Sequence, residues 1–263
     1  MVSHRPRISV IGCGHVGVTC AHALLQSRLC REIVLVDEDQ ERVRGEALDL
    51  LQATPLDTPV KIYGGDHKDA AASEIVILTV GAPGKFSGSR LDLLAGNVGI
   101  VRSCVGKLMA ENFAGTLLVA TNPVDILTFV AQNESGLPLG RVVGSGTLID
   151  TLRLRSLLGE KLRVDPRSVH VQVIGEHGDS SVAVWSAAQV SGLPLALYPG
   201  ADALPPQEGP RQRPPGGPRD CRPQRQHVLR DRGLRDPHLR GHRARRAFRP
   251  RRLDPHDRPI RSS

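Results

Sequence analysis

The chain places a glycine-rich turn between a strand pattern and a helix pattern near its start, which limits the possible folds more than any other feature. Residues 7–11 (RISVI) form a β-branched apolar run, a G-x-G-x-x-G motif follows at Gly12, Gly14 and Gly17, and residues 16–29 have helical spacing. The first glycine permits a tight turn, the second lets backbone amides approach a pyrophosphate, and the third lets the helix pack against the strand. The motif therefore predicts a dinucleotide site at the helix N-terminus.

A carboxylate closes the second strand pattern. Apolar residues 33–36 end at Asp37, which lies 20 residues after Gly17. Its oxygens can accept hydrogen bonds from a ribose 2′-hydroxyl and would repel a 2′-phosphate, so the predicted cofactor is NAD rather than NADP. Taken alone, the glycine motif also fits a turn that binds no ligand.

Short apolar runs alternate with helical patterns as far as about residue 190. Helical spacing covers residues 41–51, and further strand patterns cover residues 75–80, 116–120 and 169–174. In the first helix the spacing predicts a buried face formed by Val16, Cys20, Ala23 and Leu24. This alternation is typical of parallel strands joined by crossover helices. We predict an α/β fold with a Rossmann doubly wound parallel sheet in residues 1–146 and an incomplete α+β substrate domain in residues 147–203.

Composition changes abruptly after residue 200. Residues 201–263 contain 17 arginines, no lysine and 7 acidic side chains, whereas residues 1–200 contain 18 basic and 20 acidic ones. The formal charge of +8 therefore arises in the last segment, and the rest of the chain is not a uniformly basic nucleic-acid-binding domain. Because 11 of the 20 prolines also lie there, we predict a disordered Arg/Pro-rich tail in residues 204–263.

Neither a membrane span nor a metal site is indicated. The longest apolar runs are as short as strands, and no signal-peptide pattern follows Met1. The five cysteines show neither metal-ligand spacing nor a disulfide framework. We therefore predict a cytoplasmic protein.

Three later segments carry candidate catalytic residues. His177 lies among small and polar residues directly after the strand pattern 169–174, and Asp150 and Arg153 are spaced to share one helix face. Residues 121–125 (TNPVD) follow another strand pattern, at the sheet edge where doubly wound folds bind ligands. Each segment alone also fits a structural role, as a core histidine, a surface ion pair or a turn.

Together these motifs resemble the L-lactate/malate dehydrogenase family, and more closely its bacterial lactate branch. The resemblance runs from about residue 8 to residue 195 and includes the loop 81–93. It implies an oxidoreductase of glycolysis that transfers hydride between NADH and a 2-keto acid and interconverts (S)-lactate and pyruvate.

The resemblance assigns a role to each candidate. His177 is the general acid/base that protonates the keto oxygen, and Asp150 orients its imidazole. Arg153 binds the substrate carboxylate through a bidentate pair. Arg90, on a loop expected to close over the substrate, polarises the carbonyl. Asn122 hydrogen-bonds the substrate and helps to hold the nicotinamide.

The remaining assignments concern ligand contacts. Cofactor positions are Gly12, Gly14, Val16, Gly17, Asp37, Arg42, Gly81, Ala82, Ala120, Asn122 and Ser145. Substrate positions are Gly84, Arg90, Asn122, Asp125, Asp150 and Arg153. Arg155 and His170 match the two basic positions of the fructose 1,6-bisphosphate effector site in allosteric members, although a solvated arginine and a strand histidine would look the same. The family also implies a homotetramer.

One departure from the family affects substrate choice. Gly84 stands six residues before Arg90, where lactate enzymes usually carry Gln and malate enzymes carry Arg. Without that arginine, the second carboxylate of malate has no cation to pair with, so lactate is favoured. A glycine also leaves space, so malate or another 2-hydroxy acid remains the alternative.

A second departure begins after about residue 195, where the family continues with helices and a substrate-contacting threonine. Codons for residues 226–233 (QHVLRDRG) can be chosen that, read one base later, give Asn-Thr-Tyr-Tyr-Ala-Ile-Gly, similar to the family's threonine segment. The same shift makes residues 238–249 and 256–260 resemble later family segments. We interpret the tail as translated out of frame after a slip between about residues 195 and 212.

This interpretation predicts impaired catalysis and exposed apolar surface on residues 169–174 and 182–190. The competing interpretation is a catalytically silent NAD-binding module whose arginines bind nucleic acid through phosphates. Phe248 is the one aromatic residue of the tail, so base stacking contributes little there. The frame argument favours a small-molecule enzyme with no nucleic-acid partner.

Overall fold

The computed structural model describes residues 5–54, 60–82 and 90–201, with side chains throughout except at residues 90–93. These ranges belong to one compact unit that spans residues 1–217. Gly84, the Arg90 side chain and the predicted tail 204–263 lie outside the described part.

Six parallel strands form the main sheet. Its order is β3-β2-β1-β4-β5-β6, so the chain starts in the centre, winds to one edge and returns to build the other. The strands are β1 (Arg7–Ile11), β2 (Glu32–Val36), β3 (Lys61–Gly64), β4 (Ile75–Leu78), β5 (Thr116–Val119) and β6 (Val142–Gly144). The direction of winding reverses between β1 and β4, which opens a crevice at their carboxyl ends. The predicted doubly wound sheet is confirmed.

Helices cover both faces of this sheet. They are α1 (His15–Ser27), α2 (Gln40–Gln52), α3 (His67–Ala71), α4 (Arg90–Ala110), α5 (Val124–Ser135) and α6 (Leu148–Leu162). Val10 and Ile11, consecutive in β1, belong to two different buried apolar clusters, because successive strand side chains point to opposite faces. No helix that the structure describes is long and apolar enough to cross a membrane.

The predicted buried face of α1 is wrong by about one residue. Gly17, Ala21 and Leu25 are the buried positions, whereas Val16 is 61% exposed. The helical repeat of α1 was predicted correctly. Which residues of that repeat face the sheet is decided by close packing at the glycine turn. A Cβ on Gly17 would overlap the carbonyl oxygen of Gly12, so this face of the helix must lie against the sheet.

A smaller antiparallel part follows α6. Strand β10 (Gln189–Val190) pairs with both β7 (Val169–His170) and β11 (Leu193–Pro194), and β8 (Val173–Ile174) pairs with β9 (Val182–Ala183). The single strand predicted over residues 169–174 is therefore two strands. The chain changes partners between them, so the ladder is interrupted.

The predicted exposure of residues 169–174 and 182–190 is wrong for most of their valines. Val169, Val171 and Val190 are buried in a cluster with Leu154 and Leu158 of α6 and with Leu195, so α6 and the residues after β11 cover them. Exposed apolar side chains occur instead on α6, β8 and β9, at Leu148, Ile149, Leu152, Ile174 and Val182.

Candidate active site

The glycine turn forms a tight cradle between β1 and α1. Gly12 has φ +104°, and a Cβ there would lie 2.7 Å from the backbone carbon of Thr79. The Thr79 hydroxyl donates to the Gly12 carbonyl oxygen at 2.7 Å and fixes the turn to the end of β4. A Cβ on Gly14, by contrast, would meet no atom within 4 Å. The space for a ligand is therefore beside Gly14, while Gly12 and Gly17 are required by packing.

The N-terminus of α1 is open toward an anion. Gly14 caps the helix without a side-chain hydrogen bond, and the first turn contains no acidic residue. The first amides of a helix have no intrahelical acceptors and carry partial positive charge. A diphosphate would accept hydrogen bonds from these amides, and its negative charge would be attracted to the helix N-terminus.

Asp37 holds the turn and still has acceptor capacity. Its Oδ2 accepts from the Cys13 amide at 2.6 Å, and its Oδ1 accepts from the Asp39 amide at 3.1 Å. Two carboxylate oxygens offer about four lone-pair sites, so ribose hydroxyls could also be bound. Arg42, the other predicted residue at the adenosine end, is half-exposed, with Nε 3.8 Å from an Asp39 oxygen.

The buried thiol in the glycine turn is expected to be unreactive. Burial, with the nearby Asp37 charge, raises the pKa of Cys13 to about 12, so almost no thiolate exists at neutral pH. At pH 8, iodoacetamide should leave Cys13 unmodified in the folded chain and alkylate it after unfolding in guanidinium. Peptide mass spectrometry measures both states. Rapid alkylation of Cys13 in the folded chain would contradict the buried position of its thiol.

A buried asparagine connects the next two strand ends. Asn97 on α4 is 5% exposed. Its Oδ1 accepts from the Ala82 amide at 3.0 Å, and its Nδ2 donates to the Asn122 carbonyl at 2.9 Å. The loops after β4 and β5, which contain predicted cofactor positions, are therefore held together by one side chain. Our sequence analysis missed Asn97, although a polar residue at a buried helical position was a usable signal.

Removal of the Asn97 amide should weaken cofactor binding. We expect Asn97→Ala to lower NADH affinity about tenfold and to cost about 1–3 kcal/mol of stability, because two part-buried hydrogen bonds, each with a net contribution of about 0.5–1.5 kcal/mol, are lost. NADH fluorescence titration and urea unfolding measure the two effects. Asn133→Ala, at an exposed position on α5, is the matched control and should change neither. Unchanged affinity in Asn97→Ala would show that the bridge does not shape the cofactor site.

The structure brings His177 and Asp150 together. The His177 Nδ1 lies 2.5 Å from Asp150 Oδ2, and the two side chains are 21% and 24% exposed. The backbone amide of His177 also donates to Asp125 Oδ2 at 2.8 Å, which fixes the loop after β8 to the start of α5. With Nδ1 committed to Asp150, Nε2 is the imidazole nitrogen available for proton transfer.

Arg153 lies beside this pair. Its Nη1 is 3.7 Å from Asp150 Oδ1, and its side chain is 69% exposed. Such an exposed pairing is weak, so the guanidinium remains available for a bidentate contact with a carboxylate. The imidazole of His177 and the guanidinium of Arg153 thus lie on either side of the partly buried Asp150 carboxylate. This arrangement is suited to binding and protonating a small oxo acid.

Other predicted positions lie at strand ends or on the surface. Ala120 and Ser145 donate their amides to Leu78 and Val119 carbonyls at 2.9 Å, which places both at the carboxyl edge of the sheet. In the predicted effector pair, Arg155 donates to the Pro166 carbonyl at 3.3 Å, and His170 is exposed on β7.

Two hydroxyls that the sequence analysis missed fix the start of α6. Thr147 donates to the Val173 carbonyl at 2.6 Å, and the Val173 amide donates to the Thr151 hydroxyl at 2.9 Å. Threonine is common at helix starts, so its presence here did not indicate a long-range contact.

The fold and these residues define a dinucleotide-binding α/β protein with a paired histidine and carboxylate near its ligand edge. Residues 6–144 match the family model for the lactate/malate dehydrogenase NAD binding domain, and residues 147–204 match that for the alpha/beta C-terminal domain. The chain therefore belongs to the lactate/malate dehydrogenase family. The predicted family, fold class and NAD cofactor are confirmed.

Similar proteins agree with this assignment. The chain is 45% identical over 192 residues to an L-lactate dehydrogenase of Thermoanaerobacter sp. (strain X514), covering 73% of this chain and 62% of the relative. It is 46% identical over 192 residues to that of Acetivibrio thermocellus, covering 73% and 61%. The ligands-bound crystal structure of minor L-lactate dehydrogenase from Enterococcus mundtii has 44% identity and a TM-score of 0.70, covering 73% of this chain and 62% of that one. This chain thus spans about three fifths of the length of these relatives.

Proposed function

We propose that this chain is a form of NAD-dependent L-lactate dehydrogenase, which interconverts (S)-lactate and pyruvate. The observation that carries the proposal is the Asp150–His177 pair with Arg153 beside it. A histidine held by a carboxylate is suited to general acid/base chemistry, and a guanidinium is suited to bind the carboxylate of a 2-keto acid.

The cofactor requirement is met by features of the cradle. Space beside Gly14, an uncapped α1 and the free acceptor capacity of Asp37 suit a diphosphate and a ribose. We assign Gly12, Gly17 and Val16 to the same cofactor site. Bound NADH would supply hydride to the substrate carbon.

The chain's own residues would supply the rest of the reaction. Arg153 orients pyruvate by its carboxylate, and His177 Nε2 gives a proton to the keto oxygen as the carbon is reduced. Asp150 holds the imidazole through Nδ1, which leaves Nε2 as the nitrogen that transfers the proton. We assign carbonyl polarisation to Arg90 and a hydrogen bond to the same oxygen to Asn122.

Pyruvate is the preferred substrate in this proposal, because Gly84 supplies no cation for a second carboxylate. We also propose a homotetramer in the cytoplasm, part of glycolysis, with fructose 1,6-bisphosphate as effector at Arg155 and His170. The guanidinium of Arg155 and the exposed imidazole of His170 are the two side chains that would contact the phosphates of this effector.

We further propose that residues after about 205 are translated from a shifted frame and that catalysis by the 263-residue chain is therefore impaired. The arginine-rich composition and the three ordered matches one base later support this.

The test combines binding and turnover on the full chain. NADH should bind and NADPH should bind more weakly, because Asp37 repels a 2′-phosphate. Pyruvate, oxaloacetate and a branched 2-keto acid are then compared by NADH absorbance, with pyruvate expected to be the best of three slow substrates. Absence of NADH binding, or a clear preference for oxaloacetate, would overturn the proposal.

A further inference from the structure

We propose that Thr147 and Thr151 are positioning residues that hold Asp150 against His177 by binding one peptide unit of β8. The inference deepens the proposed function, since it explains how the histidine–carboxylate pair of that site is built. It concerns a contact between the first turn of α6 and the strand that leads into the histidine loop.

Both hydroxyls contact the backbone of Val173. Thr147 Oγ1 donates to its carbonyl oxygen at 2.6 Å, and its amide donates to Thr151 Oγ1 at 2.9 Å. The two threonines are four residues apart, so they share a helix face, and Asp150 lies between them in the first turn. Val173 precedes His177 by four residues. The contact therefore joins the helix that carries Asp150 to the strand that leads to His177.

The backbone of Val173 faces α6 instead of β9. The preceding carbonyl, that of Gln172, accepts from the Val184 amide at 2.8 Å, which directs it toward β9. Along a strand, backbone groups of successive residues point to opposite sides. Val173 would consequently be left with an unpaired amide and carbonyl in a mostly buried position, were the two hydroxyls absent.

Thr147 is diverted from its usual role. It caps α6, yet its side chain makes no hydrogen bond to the first turn. An N-cap threonine ordinarily accepts from the backbone amide of the third helical residue. Here the hydroxyl donates to another element instead. Its hydrogen bond to β8 therefore replaces the local capping bond and links α6 to that strand.

The geometry of the pair depends on this contact. The hydrogen bond between His177 Nδ1 and Asp150 Oδ2 weakens steeply when its two atoms move apart, so it depends on the position of α6. The histidine loop begins with Gly175 at φ +93° and is also held by Asp125, but neither feature restrains the carboxylate. On the carboxylate side the threonines add directional hydrogen bonds to the apolar packing of Leu154 and Leu158, which by itself does not fix the position of the first turn of α6.

Proton NMR of the 263-residue chain tests the proposal without substrate or cofactor. A proton shared in a short Nδ1–H···O bond gives a far-downfield resonance, assigned by its loss in His177→Gln. We expect this resonance in the unsubstituted chain and in Thr151→Ser, which keeps the hydroxyl. It should be lost in Thr147→Val/Thr151→Val. Thr54→Val, which removes a hydroxyl bond to the Leu50 carbonyl just after the end of α2, is the matched control and should keep the resonance.

Amide exchange at Val173 provides the second readout. Exchange of the Val173 amide should accelerate in Thr151→Val, because the hydroxyl that accepts from this amide is removed. If the double variant does not fold, the single variant Thr147→Val is used, and it should broaden the downfield resonance. The proposal is overturned if Val173 exchange accelerates while the resonance is unchanged, or if the unsubstituted chain shows no such resonance. Because neither readout needs cofactor or turnover, a chain that binds no NADH but shows this dependence would refute the proposed function and leave the role of the two threonines intact.

Discussion

A one-base correction between codons 195 and 212, which moves translation one base later, is expected to raise pyruvate-dependent NADH oxidation at least about a hundredfold. The shifted frame would supply the threonine segment that contacts substrate in the family, and with it the helices that follow. Misplacement of substrate by about 1 Å can cost two orders of magnitude, so loss of a whole wall of the site should cost at least that. Steady-state absorbance assays of the two purified proteins give the ratio.

Correction to the remaining third frame is the matched control, because it changes the same codons without encoding the family-like segments. Its turnover should stay at the level of the unchanged chain. The corrected protein should also bind less of a hydrophobic dye, because the exposed apolar side chains of α6, β8 and β9 would be covered. Equal turnover in all three frames would show that the tail is not a frame product.

The centre of the sheet was predictable because β1, β2, β4 and β5 read as largely apolar runs, and the alternation with helices leaves few ways to connect parallel strands. The edge strands β3 and β6 are partly exposed and were not predicted. The run 7–11 matches β1 without error, whereas the patterns 75–80 and 116–120 extend one or two residues beyond β4 and β5. At these points the chain leaves the sheet and enters the loops that carry predicted cofactor positions. Apolar residues continue there, so hydrophobicity alone does not indicate where the strand ends.

Two structural predictions were wrong because they depend on close contacts between residues. The phase of α1 depends on the contact of Gly17 with Gly12, and hydropathy favoured Val16 because it ignores such steric limits. Likewise, residues 169–173 alternate valine with histidine and glutamine as one continuous strand would, so nothing in the pattern marked the change of pairing partner from β10 to β9. Both errors concern close contacts that hydropathy does not report.

The candidate site divides in the same way. His177, Asp150 and Arg153 were found because their chemistry is visible in residue type and spacing. Asn97 and the two threonines were missed, since their importance lies in which backbone groups they bind. Residues that touch ligands are thus more visible in a sequence than residues that hold them in place.

Substitution of the paired histidine should have the largest effect on the frame-corrected protein. We expect His177→Asn to lower kcat by about 10²–10⁴, because the keto oxygen then has no general acid, and to leave NADH affinity nearly unchanged. Asp150→Asn should cost a similar factor, and the double variant should cost little more than either single change, because the two side chains act as a unit. Steady-state kinetics with pyruvate and NADH titration separate these effects.

Asp165→Asn is the matched control for loss of a carboxylate. Asp165 pairs with Arg167 at the surface, outside the His177 loop and the first turn of α6, so its substitution should leave kcat within about twofold. Additive losses in the double variant would show that Asp150 and His177 act separately. A decrease of less than tenfold in His177→Asn would place the general acid elsewhere, and Nε2 of His177 could then no longer be assigned the proton that the substrate oxygen receives.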